Sequence, residues 1–339
     1  MLRLGIIGCG YWGPNLIRDF SEIDEVEIKA LSDLDESKLK RFKKKLPGVV
    51  TTKDYKDLLD SKDIDAIVIA TPADTHYKLA KEALLAGKHV LVEKPLTYSI
   101  AEAEELIELA DKKGKILMVG HTFEFNPAVI RIREAVETGE LGKVYYITSR
   151  RLNLGKIRED INALWNLAPH DISILNFITG ETPLKVRAWG GAFLKDNHED
   201  VAFVHLLYPD NIVAHVHVSW LDPLKVRDTV IVGSKKMILY DDVDSEARIK
   251  IYDKGADRYM RANPEQGFGE FQIKLRAGDL LIPKIDMTAP LKQECRHFVD
   301  CVINNKTPKT DGRNGLRVVK VLTAAHESLK SGGKEIGIK

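Results

Sequence analysis

The sequence has few cysteines and no long apolar run. Cys9, Cys295 and Cys301 are its only cysteines, and they lack zinc-type spacing, so we expect neither a disulfide framework nor a bound metal. No stretch approaches the roughly 20 apolar residues that span a bilayer, and no signal peptide precedes the first strand-like segment. These absences predict a protein of the reducing cytoplasm that does not enter a membrane.

The sequence also lacks a charge excess of either sign. The 51 Lys and Arg residues nearly cancel the 50 Asp and Glu residues, which leaves a formal net charge of +1. Such a surface has no broad positive field for a nucleic-acid backbone or an anionic membrane. We therefore expect a small-molecule substrate, and no nucleic acid or membrane partner.

The first third of the chain alternates short apolar segments with helical ones. Segments that are apolar on both faces are typical of strands in a parallel sheet covered by helices. This alternation predicts a doubly wound α/β sheet of the Rossmann type in residues 1–121. The predicted strands are Leu2–Ile7, Val26–Ser32, 66–70, 90–92 and 116–119.

The pattern changes after about Gly120. Residues 212–220 alternate between apolar and polar side chains, which is typical of an antiparallel sheet with one buried face. We therefore predict a second α/β domain, residues 122–339, with a large open, mostly antiparallel sheet. Similar strand patterns cover 144–152, 184–193, 201–208, 228–240 and 247–252, and helices are predicted near 290–304 and 314–330.

A glycine-rich loop with the spacing G-x-G-x-x-G follows the first strand, at residues 8–13. Gly8 allows a tight turn, Gly10 lets a pyrophosphate approach the backbone, and Gly13 lets helix and strand pack closely. Amides at the start of the next helix then face the phosphates. The loop predicts a dinucleotide site, where Tyr11 and Trp12 either pack over the cofactor or pack against the first helix.

An acidic residue, Asp33, stands at the end of the second strand. A carboxylate there accepts hydrogen bonds from the ribose hydroxyls and repels a 2′-phosphate. No arginine is adjacent to neutralise such a phosphate. The sequence therefore favours NAD over NADP as the cofactor.

A lysine, Lys94, follows a buried strand in the segment Glu93-Lys94-Pro95. Open α/β sheets bind ligands at the carboxyl ends of their strands, and partial desolvation there lowers an ammonium pKa toward the range useful for proton transfer. Pro95 stiffens the turn that carries the lysine. A lysine at a strand end is nevertheless more often simply solvated, so a second motif is needed.

The second motif contains Asn166 and His170, which are spaced four residues apart. In a helix they share one face, although Pro169 suggests that a helix begins only near that residue. An imidazole gains or loses a proton near neutral pH, so His170 is a candidate acid or base. The alternative is a histidine that caps or packs the helix.

These motifs together resemble the Gfo/Idh/MocA family of oxidoreductases. The resemblance covers nearly the whole chain and implies a Rossmann domain followed by an α/β domain whose open sheet often mediates dimer or tetramer contacts. We therefore expect a homodimer or homotetramer formed through the C-terminal sheet. The resemblance is carried by the loop at 8–15, Ala70-Thr71-Pro72 with His76, Glu93-Lys94-Pro95 and Pro169-His170-Asp171.

The resemblance also implies roles for individual residues. Lys94 and His170 are the expected catalytic pair. Many members have Asp where this chain has Asn166, and an amide orients a hydroxyl but carries no proton. The expected cofactor contacts are Gly8, Gly10, Tyr11, Trp12, Gly13, Asp33, Thr71, Pro72, His76, Glu93, Lys94 and Asn166. The expected substrate contacts are Asn166 and His170. The residues themselves add Glu124 and Asn126, which follow a strand end, and Arg158, whose guanidinium suits a diphosphate. The alternatives are helix capping for Glu124 and Asn126 and a solvated surface charge for Arg158.

The segments 120–127 and 164–171 are most similar to those of UDP-sugar 3-dehydrogenases. We therefore expect NAD-dependent oxidation of a sugar ring hydroxyl, at C3 of a UDP-N-acetyl-hexosamine or its uronic acid. Three alternatives remain. They are a free polyol or aldose dehydrogenase of the inositol or glucose type, an NAD-sensing regulator, and an oxidoreductase that recycles its own NADH.

Overall fold

The computed structural model describes residues 1–155, 157–158, 161–196, 198–259 and 272–338. No helix in these ranges is long and apolar enough to cross a membrane. The helices are α1 (Gly13–Ser21), α2 (Glu36–Lys45), α3 (Lys56–Asp60), α4 (His76–Leu85), α5 (Ile100–Lys113), α6 (Pro127–Glu137), α7 (Ala163–Thr179), α8 (Pro290–Asn304) and α9 (Gly312–Lys330).

The strands are short in the first part of the chain and longer in the second. They are β1 (Leu2–Ile7), β2 (Val26–Ser32), β3 (Val50–Thr52), β4 (Ala66–Ile69), β5 (His89–Glu93), β6 (Leu117–Gly120), β7 (Val144–Leu152), β8 (Lys185–Gly191), β9 (Val201–Leu207), β10 (Val213–Ser219), β11 (Val226–Gly233), β12 (Met237–Asp241), β13 (Ile249–Tyr259), β14 (Gln272–Leu281) and β15 (Ile336–Gly337).

The chain divides into two compact units. The first contains residues 1–126 and 288–323, and the second contains residues 127–287 and those from 324 onward. The first unit thus includes residues 288–323, which the sequence analysis assigned to the second domain. The reason is the apolar face of α8, where the Phe298 ring meets the Phe20 ring of α1 edge-on, with centroids 6.3 Å apart.

The first unit contains the predicted Rossmann sheet. Its strand order is β3-β2-β1-β4-β5-β6, and every neighbouring pair is parallel. The order reverses between β1 and β4, which is where open α/β sheets bind ligands, beyond the carboxyl ends of the strands. The loops after β1, β4 and β5 therefore meet at one edge of the sheet.

The strands of this sheet are buried on both faces, as their composition predicts. Ile6 and Val68 belong to one apolar cluster, whereas Ile67 and Ile69 belong to the cluster on the other side of the sheet. Helices cover both clusters, because exposing either apolar face to water is unfavourable. The prediction of a doubly wound sheet is confirmed.

The second unit contains the predicted open sheet. Within the described residues nine strands form it, in the order β14-β13-β12-β11-β7-β10-β9-β8-β15. The pairing is antiparallel except between β10 and β7. The predicted strand at 228–240 is in fact two strands, β11 and β12, which pair with each other across a turn.

Helix α7 packs against β10 and β7 of the second sheet. The prediction that a helix begins near Pro169 is wrong, because α7 already begins at Ala163 and contains the proline. The side chain of Asn162 caps the helix by accepting a hydrogen bond from the amide of Trp165, at 3.0 Å. Asn166 and His170 therefore do lie four residues apart in one helix.

Candidate active site

The glycine loop has the close backbone contacts expected of a phosphate cradle. Gly8 has a φ of +99°, and a Cβ on it would lie 2.6 Å from the carbonyl oxygen of Ala70. A Cβ on Gly13 would lie 2.1 Å from the carbonyl oxygen of Gly8. At Gly10 a Cβ would meet nothing within 4 Å, so open space adjoins the backbone where a pyrophosphate needs it.

Asp33 is hydrogen-bonded to the glycine loop and to the backbone of its own turn. Its carboxylate accepts a hydrogen bond from the Cys9 amide at 2.7 Å and another from the Asp35 amide at 2.8 Å. Lys38 Nζ lies 3.4 Å from the same carboxylate. Asp33 is therefore held at the end of β2, beside the loop after β1, where a ribose is expected.

The thiol of Cys9 is not a reactive group. The side chain is buried, and burial, followed by the charge of Asp33, raises the pKa of the thiol to about 12. A thiol with this pKa is protonated at neutral pH and is a poor nucleophile. Cys9 therefore serves as a small residue that fits the turn.

His76 joins the loop after β4 to the turn after β5. Its ring is buried, with Nδ1 2.8 Å from the carbonyl oxygen of Pro95 and Nε2 3.1 Å from that of Thr71. Burial is the main reason why the pKa of His76 is lowered, and so the ring is neutral. The histidine thus supports the segments that carry Thr71 and Lys94, and its direct contact with a cofactor stays a prediction.

Glu93 and Lys94 lie at the carboxyl end of β5. The Glu93 carboxylate packs against Gly120, where a Cβ would lie 3.1 Å from it. Burial raises the pKa of Glu93 to about 7, although the neighbouring charge of Lys94 and the indole of Trp12 act to lower it. Lys94 itself is half-buried. This edge therefore holds two titratable groups beside the expected cofactor site.

Glu124 and Asn126 follow β6 and belong to the same unit as Lys94. Both are almost fully buried, and the Glu124 carboxylate accepts a hydrogen bond from the side chain of Asn314 at 3.1 Å. This contact fixes the short segment after His121. Contact of either residue with a sugar stays a prediction.

The second unit holds the other group of predicted residues. Asn166 and His170 lie on α7 and are half-buried. The next residue, Asp171, is buried and accepts hydrogen bonds from Arg151 Nε at 2.8 Å and from the Ser149 hydroxyl at 2.9 Å. Arg151 and Ser149 lie on β7, so this ion pair fixes the position of α7 on the sheet, and with it the backbone of His170.

The remaining predicted residues are less informative. Arg158 is half-buried and lies in the loop between β7 and α7. Tyr11 is highly exposed and Trp12 half-buried, beside the glycine loop. No group of three or more metal-binding side chains occurs in the described parts of the chain.

The first unit therefore unites Gly8, Gly10, Gly13, Asp33 and Lys94 at one sheet edge, with Thr71, Pro72 and Glu93. Asn166, His170 and Arg158 belong to the second unit, and the pairing of Lys94 with His170 stays a prediction. The edge suits NAD because it combines an open cradle next to Gly10, amides at the start of α1 and a fixed carboxylate. The sequence analysis did not identify the support that Arg151 of β7 gives α7 through Asp171.

Comparisons with known proteins give matches over both units. Residues 2–121 match the model of an oxidoreductase family with an NAD-binding Rossmann fold, and residues 129–239 match the GFO/IDH/MocA C-terminal domain. A UDP-N-acetylglucosamine 3-dehydrogenase of Acidithiobacillus ferrooxidans is 31% identical over 64% of this chain and 67% of its own length. A myo-inositol 2-dehydrogenase of Thermotoga maritima is 27% identical over 97% of this chain and 96% of its own.

A solved structure is similar over almost the full length. The UDP-N-acetylglucosamine 3-dehydrogenase from Acidithiobacillus ferrooxidans aligns with a TM-score of 0.79 at 25% identity, covering 97% of this chain and 98% of the other. The fold of this chain is thus that of the matching family.

Proposed function

This chain belongs to the Gfo/Idh/MocA family of NAD-binding oxidoreductases, and we propose that it oxidises the C3 hydroxyl of a UDP-N-acetyl-hexosamine or its uronic acid. The product is the 3-keto sugar. The observation that carries the proposal is the half-buried Lys94, which directly follows strand β5 at the sheet edge that holds a cradle suited to NAD.

The reaction needs a hydride acceptor, a base and a means of orienting the sugar. NAD, when bound, accepts the hydride from the sugar carbon. Lys94 Nζ or a ring nitrogen of His170 takes the hydroxyl proton, so the C–H and O–H bonds both break and a carbonyl forms. Asn166 orients the hydroxyl through its amide, and Arg158 contributes a positive charge to a diphosphate.

The choice of sugar rests on similarity to characterised relatives. The 3-dehydrogenase relative is the more similar in identity, whereas the inositol dehydrogenase relative aligns over nearly the whole chain. The second candidate function is therefore oxidation of a free polyol or aldose, which uses the same base and the same cofactor. The two candidates differ in whether a nucleotide is recognised.

A substrate panel tests the proposal. Purified protein is mixed with NAD or NADP and with UDP-N-acetylglucosamine, its uronic acid, myo-inositol or glucose, and NADH or NADPH absorbance is recorded. We expect kcat/KM to be at least about tenfold higher with a UDP-sugar than with either free sugar, because the diphosphate adds charged contacts. We also expect NAD to be preferred, because Asp33 repels a 2′-phosphate.

The panel separates the candidates clearly. Higher kcat/KM with myo-inositol or glucose overturns the nucleotide-sugar proposal and supports the second function. A preparation that already absorbs as NADH, and turns over only when a carbonyl substrate is added, indicates that the enzyme recycles its own cofactor. If none of the sugars is turned over, both candidate functions are overturned.

We also propose that the chain forms a homodimer or homotetramer through the nine-stranded sheet. Its outer face carries aromatic side chains at the surface, with Phe203 stacked on His217 at a centroid distance of 4.3 Å and Trp189 exposed on the neighbouring strand. Apolar patches of this kind often mark protein interfaces. Sedimentation should give a dimer or tetramer, and Phe203→Glu should shift it toward monomer. The control Leu34→Glu changes an exposed residue of the other unit, and a monomeric wild type would contradict the proposal.

A further inference from the structure

Lys38 is a positive group beside the residue that is expected to hold the ribose of the cofactor. Its Nζ lies 3.4 Å from Oδ1 of Asp33 and 3.8 Å from Oδ2 of Asp35. The sequence has no arginine adjacent to Asp33, but it has this lysine five residues further on. The end of β2 thus carries a positive charge as well as the carboxylate that favours NAD.

The start of helix α2 brings Lys38 back to Asp33. Asp35 caps the helix: its Oδ1 accepts a hydrogen bond from the Ser37 amide at 2.9 Å, and its carbonyl oxygen accepts one from the Lys38 amide at 3.2 Å. Side chains of a helix point back toward its N-terminus, so the lysine stem runs back over the turn that precedes the helix. The place of the ammonium group beside Asp33 therefore follows from this cap.

Protein donors already occupy most of the Asp33 carboxylate. Its side chain is only 10% exposed, and it accepts hydrogen bonds from the amides of Cys9 and Asp35 at 2.7 and 2.8 Å. With the ammonium group of Lys38 as a third donor, about one of its roughly four acceptor positions remains for a ribose hydroxyl. These donors also offset its negative charge, so Asp33 repels another anion less than an isolated carboxylate would.

The ammonium group of Lys38 keeps hydrogen-bonding capacity for a further acceptor. It carries three N–H groups, and its carboxylate neighbours lie at 3.4 and 3.8 Å, which is longer than a usual hydrogen bond. The lysine side chain is 41% exposed, and Leu34, between the two acids, is 83% exposed. This side of the turn is therefore open to solvent, where a ligand can reach the ammonium group.

We propose that Lys38 makes NADP a second cofactor of this site, because its ammonium group pairs with the phosphate on the 2′ oxygen of the adenosine ribose. A phosphate monoester carries about 1.5 to 2 negative charges near pH 7 and accepts hydrogen bonds through three oxygens. NAD stays preferred, because the acids Asp33, Asp35 and Glu36 leave the turn with a net negative charge. This inference rests on the cofactor site and not on the choice of sugar.

Direct binding tests the inference without turnover. NADH and NADPH are titrated separately into the purified protein, and the Kd of each is measured from the nicotinamide fluorescence. NADPH should bind the wild type with a Kd within about 100-fold of that of NADH, because one hydrogen bond to a charged group accounts for a factor of about 10 to 100. A larger gap between the two Kd values overturns the proposal.

Lys38→Met removes the charge and keeps most of the length of the stem. The Kd of NADPH should rise roughly tenfold, because a charged contact with a phosphate is lost, whereas the Kd of NADH should change by less than about threefold. The matched control is Lys40→Met on the same helix, where the lysine is 71% exposed and pairs with Glu36 at 3.0 Å. This control should leave both Kd values unchanged.

A purely structural role of Lys38 gives a different result. If the ammonium group only holds Asp33 in place, Lys38→Met weakens NADH and NADPH equally, and an unchanged ratio of the two Kd values overturns the proposal. Lys38→Arg keeps the positive charge and should bind NADPH at least as well as the wild type, since a guanidinium group matches phosphate oxygens. NADPH binding as weak as that of Lys38→Met would contradict the role of the charge.

Salt gives a second measurement of the same contact. Raising the NaCl concentration from about 0.05 M to about 0.5 M screens charges that are exposed to solvent. The advantage of the wild type over Lys38→Met in NADPH binding should therefore shrink at the higher concentration. An advantage that salt does not change is inconsistent with a contact between charges and overturns the proposal.

The outcomes distinguish this inference from the proposed function. If no sugar is oxidised with either cofactor, the proposed function fails, while the titrations still decide the role of Lys38. If a UDP-sugar is oxidised with NAD, but the ratio of the two Kd values is the same in the wild type and Lys38→Met, this inference alone fails. If neither nucleotide binds, the cradle assignment fails and this inference fails with it.

Discussion

Lys94→Ala should lower kcat by about 10²- to 10⁴-fold, because one positioned base contributes an effect of that size. His170→Ala should lower it similarly if the imidazole takes the proton, and less if it only orients the sugar. The measurement is turnover at saturating NAD and sugar, together with the affinity for NADH by fluorescence. The affinity for NADH should fall much less than kcat, because the cradle and Asp33 are untouched and Lys94→Ala removes only the one cofactor contact expected of Lys94.

The two substitutions also show which group is the base. The variant that lacks the base should lose the pH dependence of kcat. The other variant should keep the same pH dependence with a lower kcat. The matched control is Lys112→Ala, an exposed lysine in the last turn of α5. Near-normal kcat in Lys94→Ala and in His170→Ala would overturn the catalytic assignment.

Gly13→Ala should weaken NAD binding by roughly 10- to 100-fold, the loss expected from one or two hydrogen bonds to charged phosphate oxygens. The added Cβ would lie 2.1 Å from the carbonyl oxygen of Gly8, so the loop or the start of α1 must move. Such overpacking also lowers stability by about 1–3 kcal/mol. Titration calorimetry with NAD and a thermal melt measure the two effects.

The control for Gly13→Ala is Gly48→Ala. Gly48 is exposed, and a Cβ on it would meet nothing within 4 Å. This variant should bind NAD like the wild type and keep its Tm. Unchanged NAD affinity in Gly13→Ala would contradict the assignment of the loop as the phosphate cradle.

Much of the fold was predictable because its elements have strong local patterns. Strands β1 and β2 match their predicted bounds, and α8 matches its predicted range. Strand β3 was missed because Val50-Thr51-Thr52 is too short for a pattern and is formed by pairing with β2. Helix α7 was placed too late, because the Asn162 cap and packing on the sheet outweigh the preference of Pro169 for a helix start.

The candidate site was predictable where a motif lies within a few residues. The glycine loop and Asp33 have fixed spacing, and the structure gives them the expected close contacts. The support of the site was not predictable, since it joins distant parts of the chain. His76 joins the carbonyl oxygens of Thr71 and Pro95, and Arg151 of β7 reaches Asp171 of α7. The family motif indicated His76, but as a cofactor contact and not as the link between these two loops.

The hydrogen bond from the Cys9 amide to Asp33 connects the residue that selects NAD over NADP with the glycine loop that is expected to bind the pyrophosphate. Replacing Asp33 with a small neutral residue is the obvious route toward NADP. It also leaves the Cys9 amide of the glycine loop without the carboxylate that accepts its hydrogen bond. A change of preference to NADP therefore needs two substitutions, in evolution as in engineering. One removes the carboxylate, and the other supplies a new hydrogen-bond acceptor that holds the glycine loop in place.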